Sequence, residues 1–447
     1  VRLQSKSRRG AFLSAFLNAD KNARASRLND TDRRNYRMLN CAILGYGNRG
    51  SIYADLLYKT EGVKITAVCD VNPENLGIAK QKYGLEDKDC FSSDEEFFKA
   101  KRGDCVVIAT MDRLHVRHAV AALKTGYDVL LEKPIATCLK DCEHIERAVE
   151  KSGKRILVCH VLRYTAFFRK IKELLTQGAI GDVVSVSEAE DVHFVHYWLS
   201  FLHGNWHSEE SSSSVILQKC CHDFDIISWL IGKNCVKVSS MGNLAVYKKE
   251  NKPAGAADYC CDCKYIDDCE YSGIRIMTAD PEWLKGYYPD MTCDRDGVVK
   301  VLSDKNCPFS ECAFSGKNDV MTDQIVNMQY EDGVVAQMIM SGFSGKGRRE
   351  ITIHGSRGEI YGYMGVESVK IFYRPFMNPE VVYDLTSDSV NSGHGGGDES
   401  IIRSFVAYLR DGIDDGSLSK IEDSLMSHKI AFAAEQSRKK EGQPVKI

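Results

Sequence analysis

The chain has 447 residues, a formal charge of −3 from 59 Lys and Arg against 62 Asp and Glu, and 43% hydrophobic residues. At roughly 100–200 residues per domain, this length predicts two or three domains. The balanced charge excludes a generally cationic nucleic-acid-binding protein, and no segment approaches the ~18 consecutive apolar residues of a membrane span. Because the seventeen cysteines are dispersed, we expect a reduced, cytoplasmic protein with neither nucleic acid nor membrane as a partner.

Residues 1–38 differ from the rest of the chain, with ten basic and only three acidic residues. We interpret this segment as a poorly ordered extension. An organelle-targeting presequence is the alternative, since such peptides are rich in Arg and poor in acids. The segment is left out of the fold prediction.

The first chemical motif follows a short apolar strand at residues 41–44. It is the turn Gly45, Tyr46, Gly47, Asn48, Arg49 and Gly50. A helical pattern and a second apolar strand come next, and that strand ends at Asp70. In this arrangement the three glycines permit a tight turn, approach of a pyrophosphate and close helix packing, while the acid accepts the ribose hydroxyls and repels a 2′-phosphate. We predict a dinucleotide site that prefers NAD to NADP.

Helical and apolar strand segments continue to alternate as far as residue 131, which predicts a parallel, doubly wound sheet with ligands at the carboxyl ends of its strands. Lys133 follows one such strand directly, between Glu132 and Pro134. A lysine is usually a solvated surface charge. Its place beside an acid and a proline, whose peptide bond can be cis, favours a functional role here.

These motifs, together with the segment from Thr110 to His115, resemble the Gfo/Idh/MocA family, which includes glucose–fructose oxidoreductase and inositol dehydrogenase. The resemblance implies a Rossmann domain at residues 39–160 and an α+β domain at residues 161–447, with an open, mostly antiparallel sheet. It implies that Lys133 touches the nicotinamide ribose and the substrate hydroxyl. It also implies that Thr110, His115 and Glu132 line the cofactor site, and that the chain forms homodimers or homotetramers.

The catalytic helix of that family carries an Asp and, four positions later, a His. Here His222 matches the histidine, but Gln218 stands at the position of the acid. If the segment is one helix, Gln218 and Lys219 lie within ~40° and ~60° of His222, so all three share a face. His222 would then act as a general base. Lys219 would lower the pKa of that imidazole or hold an anionic group such as a uronate. The alternative for His222 is a structural, buried histidine.

Five further residues are weaker candidates for contacting substrate: Arg163, Tyr164, His203, Trp206 and His394. The first two follow the strand at the domain junction, where structural ion pairing is the alternative to substrate binding. The histidine and tryptophan at 203 and 206 belong to an aromatic loop that suits either pyranose stacking or a packed lid. The last lies in a glycine-rich turn before a helix, which Asp398 can cap.

Cysteines are concentrated in an apparent insert at about residues 250–315. We predict a structural Zn²⁺ site formed by Cys260, Cys263, Cys269 and Cys307, since thiolates are preferred zinc ligands and a metal stabilises a small core. Free thiols or a disulfide are the alternatives.

Three functions fit these observations. The first is an NAD-dependent oxidoreductase that removes hydride from a secondary hydroxyl of a sugar, polyol or glycoside. The second is a redox-neutral glycosidase or lyase that acts by transient C3 oxidation and elimination. The third is a sensor that binds the dinucleotide without turnover. The carbohydrate substrate itself is not predicted.

Overall fold

A computed structural model describes residues 38–285, 287–288, 290–389 and 393–447. The prediction for residues 1–38 therefore falls outside the described residues, except at Met38. Across the described ranges, no helix combines the length and the apolar character needed to cross a membrane.

The first sheet has six strands. They are β1 Leu39–Leu44, β2 Val63–Cys69, β3 Cys90–Phe91, β4 Cys105–Ile108, β5 Asp128–Leu131 and β6 Ile156–Val158. Their order is β3-β2-β1-β4-β5-β6, and every neighbouring pair is parallel. The order reverses between β1 and β4, which is where such sheets bind ligands. The predicted doubly wound parallel sheet is confirmed.

Helices cover both faces of this sheet. They are α1 Asn48–Lys59, α2 Pro73–Tyr83, α3 Asp94–Phe97, α4 His115–Thr125 and α5 Leu139–Ser152. Side chains of β1 alternate between the two cores: Ile43 packs with residues of α1, and Leu44 packs with residues of α4 and α5. A strand buried on both faces explains why β1 and β4 are continuously apolar in sequence.

The second sheet is larger and mixed. Its strands are β7 Val183–His193, β8 Cys235–Asn243, β9 Asp323–Tyr330, β10 Val335–Ser344, β11 Arg348–Gly355, β12 Gly358–Gly365, β13 Val369–Pro375, β14 Val381–Asp384 and β15 Val445–Lys446. The order is β14-β13-β12-β11-β7-β10-β9-β8-β15. Only the pair of β7 with β10 is parallel among these strands. This confirms the expectation of a mostly antiparallel second sheet.

The helices that follow β6 are α6 Ala166–Thr176, α7 Phe194–Tyr197, α8 Val215–Gln218, α9 Cys221–Ile231, α10 Gly273–Ala279, α11 Pro281–Lys285, α12 Arg295–Leu302, α13 Thr386–Ser389, α14 Gly397–Asp411 and α15 Ile421–Arg438. Residues of α6, α9 and α15 form one hydrophobic core with the second sheet. A π-helix at Trp198–Leu202 continues directly from α7.

The last two long helices also pack against the first sheet. Ile401 and Phe405 of α14 lie in the core that contains Tyr53 of α1. Ile421 and Leu425 of α15 lie in the core on the opposite face. The C-terminal part of the chain therefore completes both hydrophobic cores of the first sheet. The domain boundary at residue 160 stays a prediction.

Candidate active site

The glycine-rich turn between β1 and α1 has the shape that a dinucleotide phosphate requires. Gly45 has a φ of +89°, and a Cβ atom there would lie 2.6 Å from the carbonyl oxygen of Ala109. A Cβ atom on Gly50 would collide with the Gly45 carbonyl, whereas one on Gly47 would have no neighbour within 4 Å. Gly47 is the N-cap residue of α1, no side chain caps this end of the helix, and the first turn of α1 contains no acid. The N–H groups of that first turn can therefore bind a pyrophosphate.

Asp70 lies at the end of β2, beside this turn. The backbone N–H of Tyr46 donates to its Oδ2 at 2.6 Å, and the N–H of Asn72 donates to its Oδ1 at 2.8 Å. These bonds orient the carboxylate toward the glycine-rich turn, and its remaining lone pairs suit a diol. The geometry therefore fits the ribose role predicted for Asp70.

Arg49 was predicted to contact the cofactor, but its guanidinium group binds side chains of the protein. Its guanidinium donates to Glu132 at 2.9 Å and to both carboxylate oxygens of Asp398 at 2.6 and 3.1 Å. It also donates to the hydroxyl of Tyr53. Arg49 thus joins the turn to the end of β5 and to the start of α14. Of the other predicted cofactor contacts, Asn48 is exposed.

Thr110 and His115 are also engaged by protein groups. The hydroxyl of Thr110 lies 2.9 Å from Nδ1 of His118. The buried ring of His115 places Nδ1 2.7 Å from the carbonyl oxygen of Pro134 and Nε2 3.0 Å from that of Thr110. His115 thereby connects the ends of β4 and β5. Its predicted contact with a cofactor stays a prediction.

Lys133 follows β5 and reaches toward the second half of the chain. Its Nζ donates to the carbonyl oxygen of Gln218 at 2.9 Å, and the peptide bond to Pro134 is cis, as the family resemblance implied. The carboxylate of Glu132 is buried, and the charges of Arg49 and Lys133 hold its pKa below its usual value despite burial. The ammonium group therefore lies between the first sheet and the segment that carries His222.

That segment is not one helix, and this prediction was wrong. Helix α8 ends at Gln218, the backbone departs from regular helix at Lys219 and Cys220, and α9 begins at Cys221. The angular argument for a shared face does not apply across the break. The Gln218 side-chain amide instead donates to Asp112 Oδ2. Its Nε2 also lies 2.8 Å from Ser212 Oγ and 2.9 Å from Ser213 Oγ.

Lys219 belongs to a buried network of charges on the second sheet. Its Nζ lies 3.2 Å from Glu190. Arg349 binds the same glutamate at 2.7 Å and Asp223 at 2.6 Å. The neighbouring Glu188 is buried, and burial together with the charge of Asp223 raises its pKa well above the usual value. The positive charges of Lys219 and Arg349 are therefore balanced within the protein.

His222 is buried, and its ring Nδ1 has no hydrogen-bond partner. Burial, and after it the positive charge of Lys133, lowers the pKa of His222 well below 6.5. The imidazole is consequently neutral near pH 7 and able to accept a proton. His196 of α7 has its pKa lowered to about 2 by burial and by the charges of Lys219 and Lys133. Two neutral imidazoles thus lie near the ammonium group of Lys133.

The predicted substrate residues Arg163 and Tyr164 have buried partners instead. Arg163 donates twice to Asp225 at 2.6 Å and is 3% exposed. The hydroxyl of Tyr164 lies 3.1 Å from that of Ser419. These contacts favour the structural alternative of ion pairing at the junction.

The aromatic loop is also packed. The ring centroids of His203 and Trp198 are 4.3 Å apart, and the Trp198 ring stacks on Phe309 of the insert. Trp206 lies 6.3 Å from the ring of Phe201. This arrangement corresponds to the packed lid rather than to an exposed stacking platform.

His394 differs from these residues, because its side chain is 46% exposed. It has a φ of +50°, and its Nδ1 lies 3.0 Å from Asp398. Its charge acts on both His222 and His196. Asp398 is a partner of Arg49 and His394 rather than a helix cap, since no side-chain cap is formed at the start of α14.

The predicted zinc site in the insert is not supported. Cys260, Cys263 and Cys269 line a cavity, but the fourth cysteine of its lining is Cys312, not Cys307. In the described part of the chain, no group of three or more His, Cys, Asp or Glu side chains could hold a metal ion. The spacing of cysteines along the sequence did not indicate which of them converge.

The site also contains three residues that the sequence did not predict: Asp112, Glu190 and Arg349. Asp112 lies inside the segment that carries the family resemblance, directly after β4, so its place at a strand end could have indicated a role. Glu190 and Arg349 face each other across β7 and β11 as register partners. No local sequence signal predicts that pairing.

Known protein families match both halves of the chain, in agreement with the two sheets described above. The family model described as "Oxidoreductase family, NAD-binding Rossmann fold", of the GFO_IDH_MocA group, matches residues 39–160. Its companion, described as "Oxidoreductase family, C-terminal alpha/beta domain", matches residues 172–447. The two matches together span most of the chain.

Individual relatives are more distant. The putative oxidoreductase YteT of Bacillus subtilis is 26% identical over 76% of this chain and 81% of its own. An inositol 2-dehydrogenase of Salmonella typhimurium is 29% identical to this chain over an aligned region. That region covers 44% of this chain and 55% of the relative, about half its length. The structure of scyllo-inositol dehydrogenase from Lactobacillus casei with NAD(H) and scyllo-inositol has a TM-score of 0.62 and 20% identity, covering 92% of this chain and 99% of its own.

Proposed function

The chain belongs to the Gfo/Idh/MocA family of oxidoreductases, and from this premise we propose that it is an NAD-dependent dehydrogenase. Its substrate would be a sugar, a polyol or a glycoside, oxidised at a secondary hydroxyl group. The observation that carries the proposal is the position of Lys133, whose ammonium group binds the Gln218 carbonyl and lowers the pKa of His222. A donor for the hydroxyl oxygen and a neutral base for its proton thus lie together at the edge of the NAD-binding sheet.

The residues present fit a dinucleotide. Gly47 and the N–H groups that begin α1 would hold the pyrophosphate, and Asp70 would accept the adenosine ribose hydroxyls. A 2′-phosphate beside the Asp70 carboxylate would be repelled, so we propose a preference for NAD. When bound, the nicotinamide ring supplies the hydride acceptor.

The protein's own groups would activate the alcohol. Lys133 would donate a hydrogen bond to the hydroxyl oxygen and orient it. His222 would take the hydroxyl proton as hydride departs from the same carbon, leaving a ketone. The lowered pKa keeps the His222 ring neutral at pH 7, so that it has a nitrogen free to take the proton, and it also makes His222 a weaker base than an exposed histidine.

We further propose that the substrate is uncharged. Lys219 was predicted to bind a uronate as one alternative, but its ammonium group lies 3.2 Å from the buried carboxylate of Glu190. Arg349 is likewise saturated by Glu190 and Asp223. An anionic sugar that bound to either of these cations would compete with a buried carboxylate, which is costly.

A redox-neutral glycosidase or lyase remains the second candidate, and His394 favours it. Elimination of a leaving group needs an acid in addition to the base that removes a proton. His394 is half exposed, oriented by Asp398, and close enough for its charge to act on His222. It could protonate a leaving oxygen.

One experiment separates these functions. Purified protein is denatured and any released dinucleotide is identified, and native protein is incubated with NAD and a panel of polyols, neutral sugars, uronates and aryl glycosides. Accumulation of NADH with a neutral polyol or sugar supports the dehydrogenase. Release of aglycone without NADH supports the second candidate, and bound dinucleotide with neither activity would indicate a sensor.

We also propose that two copies of the chain associate through the open face of the second sheet. Met241, Ile325 and Ile339 are adjacent on strands β8, β9 and β10, where each is paired with the next in register. They are 68%, 42% and 37% exposed. A contiguous apolar row of this kind is typical of an interface between protein chains, and its flat strand surface suits a second copy of itself.

A cytoplasmic location is likewise part of the proposal. It is supported by the cysteines, since no disulfide bond is formed within the part of the chain that the structure describes. Reduced cysteines in this number are typical of intracellular proteins.

A further inference from the structure

The proposed base His222 is the first of three adjacent histidine rings, an arrangement that the sequence did not predict. The ring of His160 is 5.6 Å from that of His222 and 5.9 Å from that of His428, with edge-to-face geometry in both pairs. His160 and His428 are fully buried, and His222 is nearly so. The three residues come from the end of β6, from α9 and from α15, so tertiary packing alone brings them together.

The far end of the row has a defined protonation state. The backbone N–H of Ile135 donates to His428 Nε2 at 2.8 Å, so this nitrogen carries the lone pair. Nδ1 then carries the proton of the neutral ring, and it lies 3.2 Å from the carbonyl oxygen of Ser424. Both nitrogens of His428 are therefore committed to structural hydrogen bonds, and a proton cannot pass beyond it.

The middle of the row is different. Both ring nitrogens of His160 are buried without a hydrogen-bond partner, as is Nδ1 of His222. Buried polar groups are nearly always hydrogen-bonded. Three such nitrogens on two adjacent rings require an explanation. Because they form no hydrogen bond with each other, a proton cannot pass directly between the rings, and a buried water that bridges them would provide the path.

Charges of both signs surround His160, and together with burial they keep its ring neutral at rest. Asp225 Oδ1 lies 4.0 Å from its Nε2, and the charge of Glu132 also favours a proton there. Arg163 and Lys133 oppose it, and burial contributes most to lowering the pKa of His160 well below 6.5. His222 and His428 complete the surroundings. When His160 is protonated, the nearest carboxylate is that of Asp225, at 4.0 Å, which it would share with Arg163.

We propose that His160 is a positioning residue for His222, and that it receives the proton which His222 takes from the substrate. This inference rests on the proposed dehydrogenase function. Hydride leaves the carbon with its electron pair for the oxidised dinucleotide, the hydroxyl proton goes to His222, and His222 passes its Nδ1 proton to His160 through the bridging water. The products are a ketone, the reduced dinucleotide and one imidazolium beside Asp225. The proton returns along the same path to His222 after the ketone has left. The Gln218 amide, bound to Asp112, cannot perform this role.

The test uses His160→Phe, which keeps a ring of similar shape in the edge-to-face contacts, and His160→Gln as a second variant in case the first fails to fold. His354→Phe is the matched control, because His354 lies exposed on β11, with its ring 3.5 Å from Glu359. Imidazole ¹⁵N resonances of the NAD-loaded proteins are followed over the pH range in which each stays folded. The rates of NADH formation on the best alcohol of the panel are measured over the same range.

We expect the resonances of His160 and His222 to titrate together in the wild-type protein, and the midpoint of His222 to move by at least about half a pH unit in His160→Phe. We expect kcat to fall about tenfold or more with KM within about twofold, and the pH profile of kcat to shift. His354→Phe should change none of these. An unchanged titration of His222, or an unchanged kcat and pH profile, would overturn the inference.

The two levels of the hypothesis fail separately. If no alcohol yields NADH in the wild-type protein, the proposed function fails, while the resonances still report whether the two rings share a proton. If the wild-type protein turns over and the His160 variants behave like it, the function stands and the role of His160 is excluded.

Discussion

Lys133 and His222 illustrate how single residues acquire a chemical role from their surroundings. The ammonium group is held 2.9 Å from a backbone carbonyl, and it acts electrostatically on an imidazole whose pKa burial has already lowered. Neither side chain is unusual by itself. In the proposed function, one group of the pair would polarise a hydroxyl and the other would accept its proton.

We predict that Lys133→Met reduces turnover at least about 100-fold, because it removes both the hydroxyl donor and the charge. Dinucleotide binding, measured by fluorescence titration, should change little. Lys172→Met is the matched control, since that ammonium group also donates to a carbonyl oxygen, that of Trp229 on a remote part of the structure. Turnover that survives Lys133→Met would remove Lys133 from the mechanism.

Asp70 allows an equally direct test of cofactor choice. Asp70→Ala should weaken NAD binding by about 10–100-fold, the equivalent of losing hydrogen bonds to a charged group. NADP binding should weaken less, because the repulsion of its 2′-phosphate is lost as well. Isothermal titration with both dinucleotides checks this. Asp87→Ala, which alters a surface carboxylate of the same sheet region, should leave both affinities unchanged, and an unaltered preference in Asp70→Ala would place the ribose elsewhere.

At the scale of elements, the interruption between α8 and α9 redirects two neighbouring side chains. Gln218 binds Asp112 after β4, whereas Lys219 binds Glu190 on β7. The short helix α8 therefore connects the two sheets through polar bonds, with Lys133 bound to its last carbonyl group.

We predict that Gln218→Asp lowers the free energy of unfolding by about 1–3 kcal/mol, because two carboxylates would face each other in a buried site. The double variant Gln218→Asp with Asp112→Asn should recover much of this loss, since it restores an amide opposite a carboxylate. Urea unfolding of wild type, of the single variants Gln218→Asp and Asp112→Asn, and of the double variant provides the measurement. A Gln218→Asp protein as stable as wild type would show that the amide contact contributes nothing.

The elements of the first sheet could be predicted because their signals are local. The spacing of Gly45, Gly47 and Gly50, and the acid at the end of the next strand, determine a turn that few other sequences form. The break after Gln218 could not be predicted, because it depends on Asp112 and Glu190, which lie far away in the sequence. The same holds for Arg163, whose partner Asp225 lies sixty-two residues away, and for the packing of Cys312 rather than Cys307 beside the other cysteines.

At the scale of the whole molecule, the second sheet carries helices on one face and leaves an apolar row on the other. We predict that Ile325→Lys, at the centre of the row formed with Met241 and Ile339, converts an oligomer into monomers, because a buried lysine at an interface lacks a partner. Light scattering after gel filtration measures the mass. Met377→Lys is the control, since Met377 is 92% exposed in the turn after β13. Identical masses for wild type and Ile325→Lys would contradict the proposed interface.

The return of α14 and α15 to the first sheet has a consequence for how the chain is made. Ile401, Phe405, Ile421 and Leu425 fill cores whose other walls come from strands near residue 40, and Asp398 binds Arg49 in the first glycine-rich turn. During synthesis, the earliest strands leave the ribosome long before these helices exist. The hydrophobic cores of the first sheet therefore stay incomplete until translation is nearly finished. We expect a nascent chain halted before residue 397 to depend on chaperones.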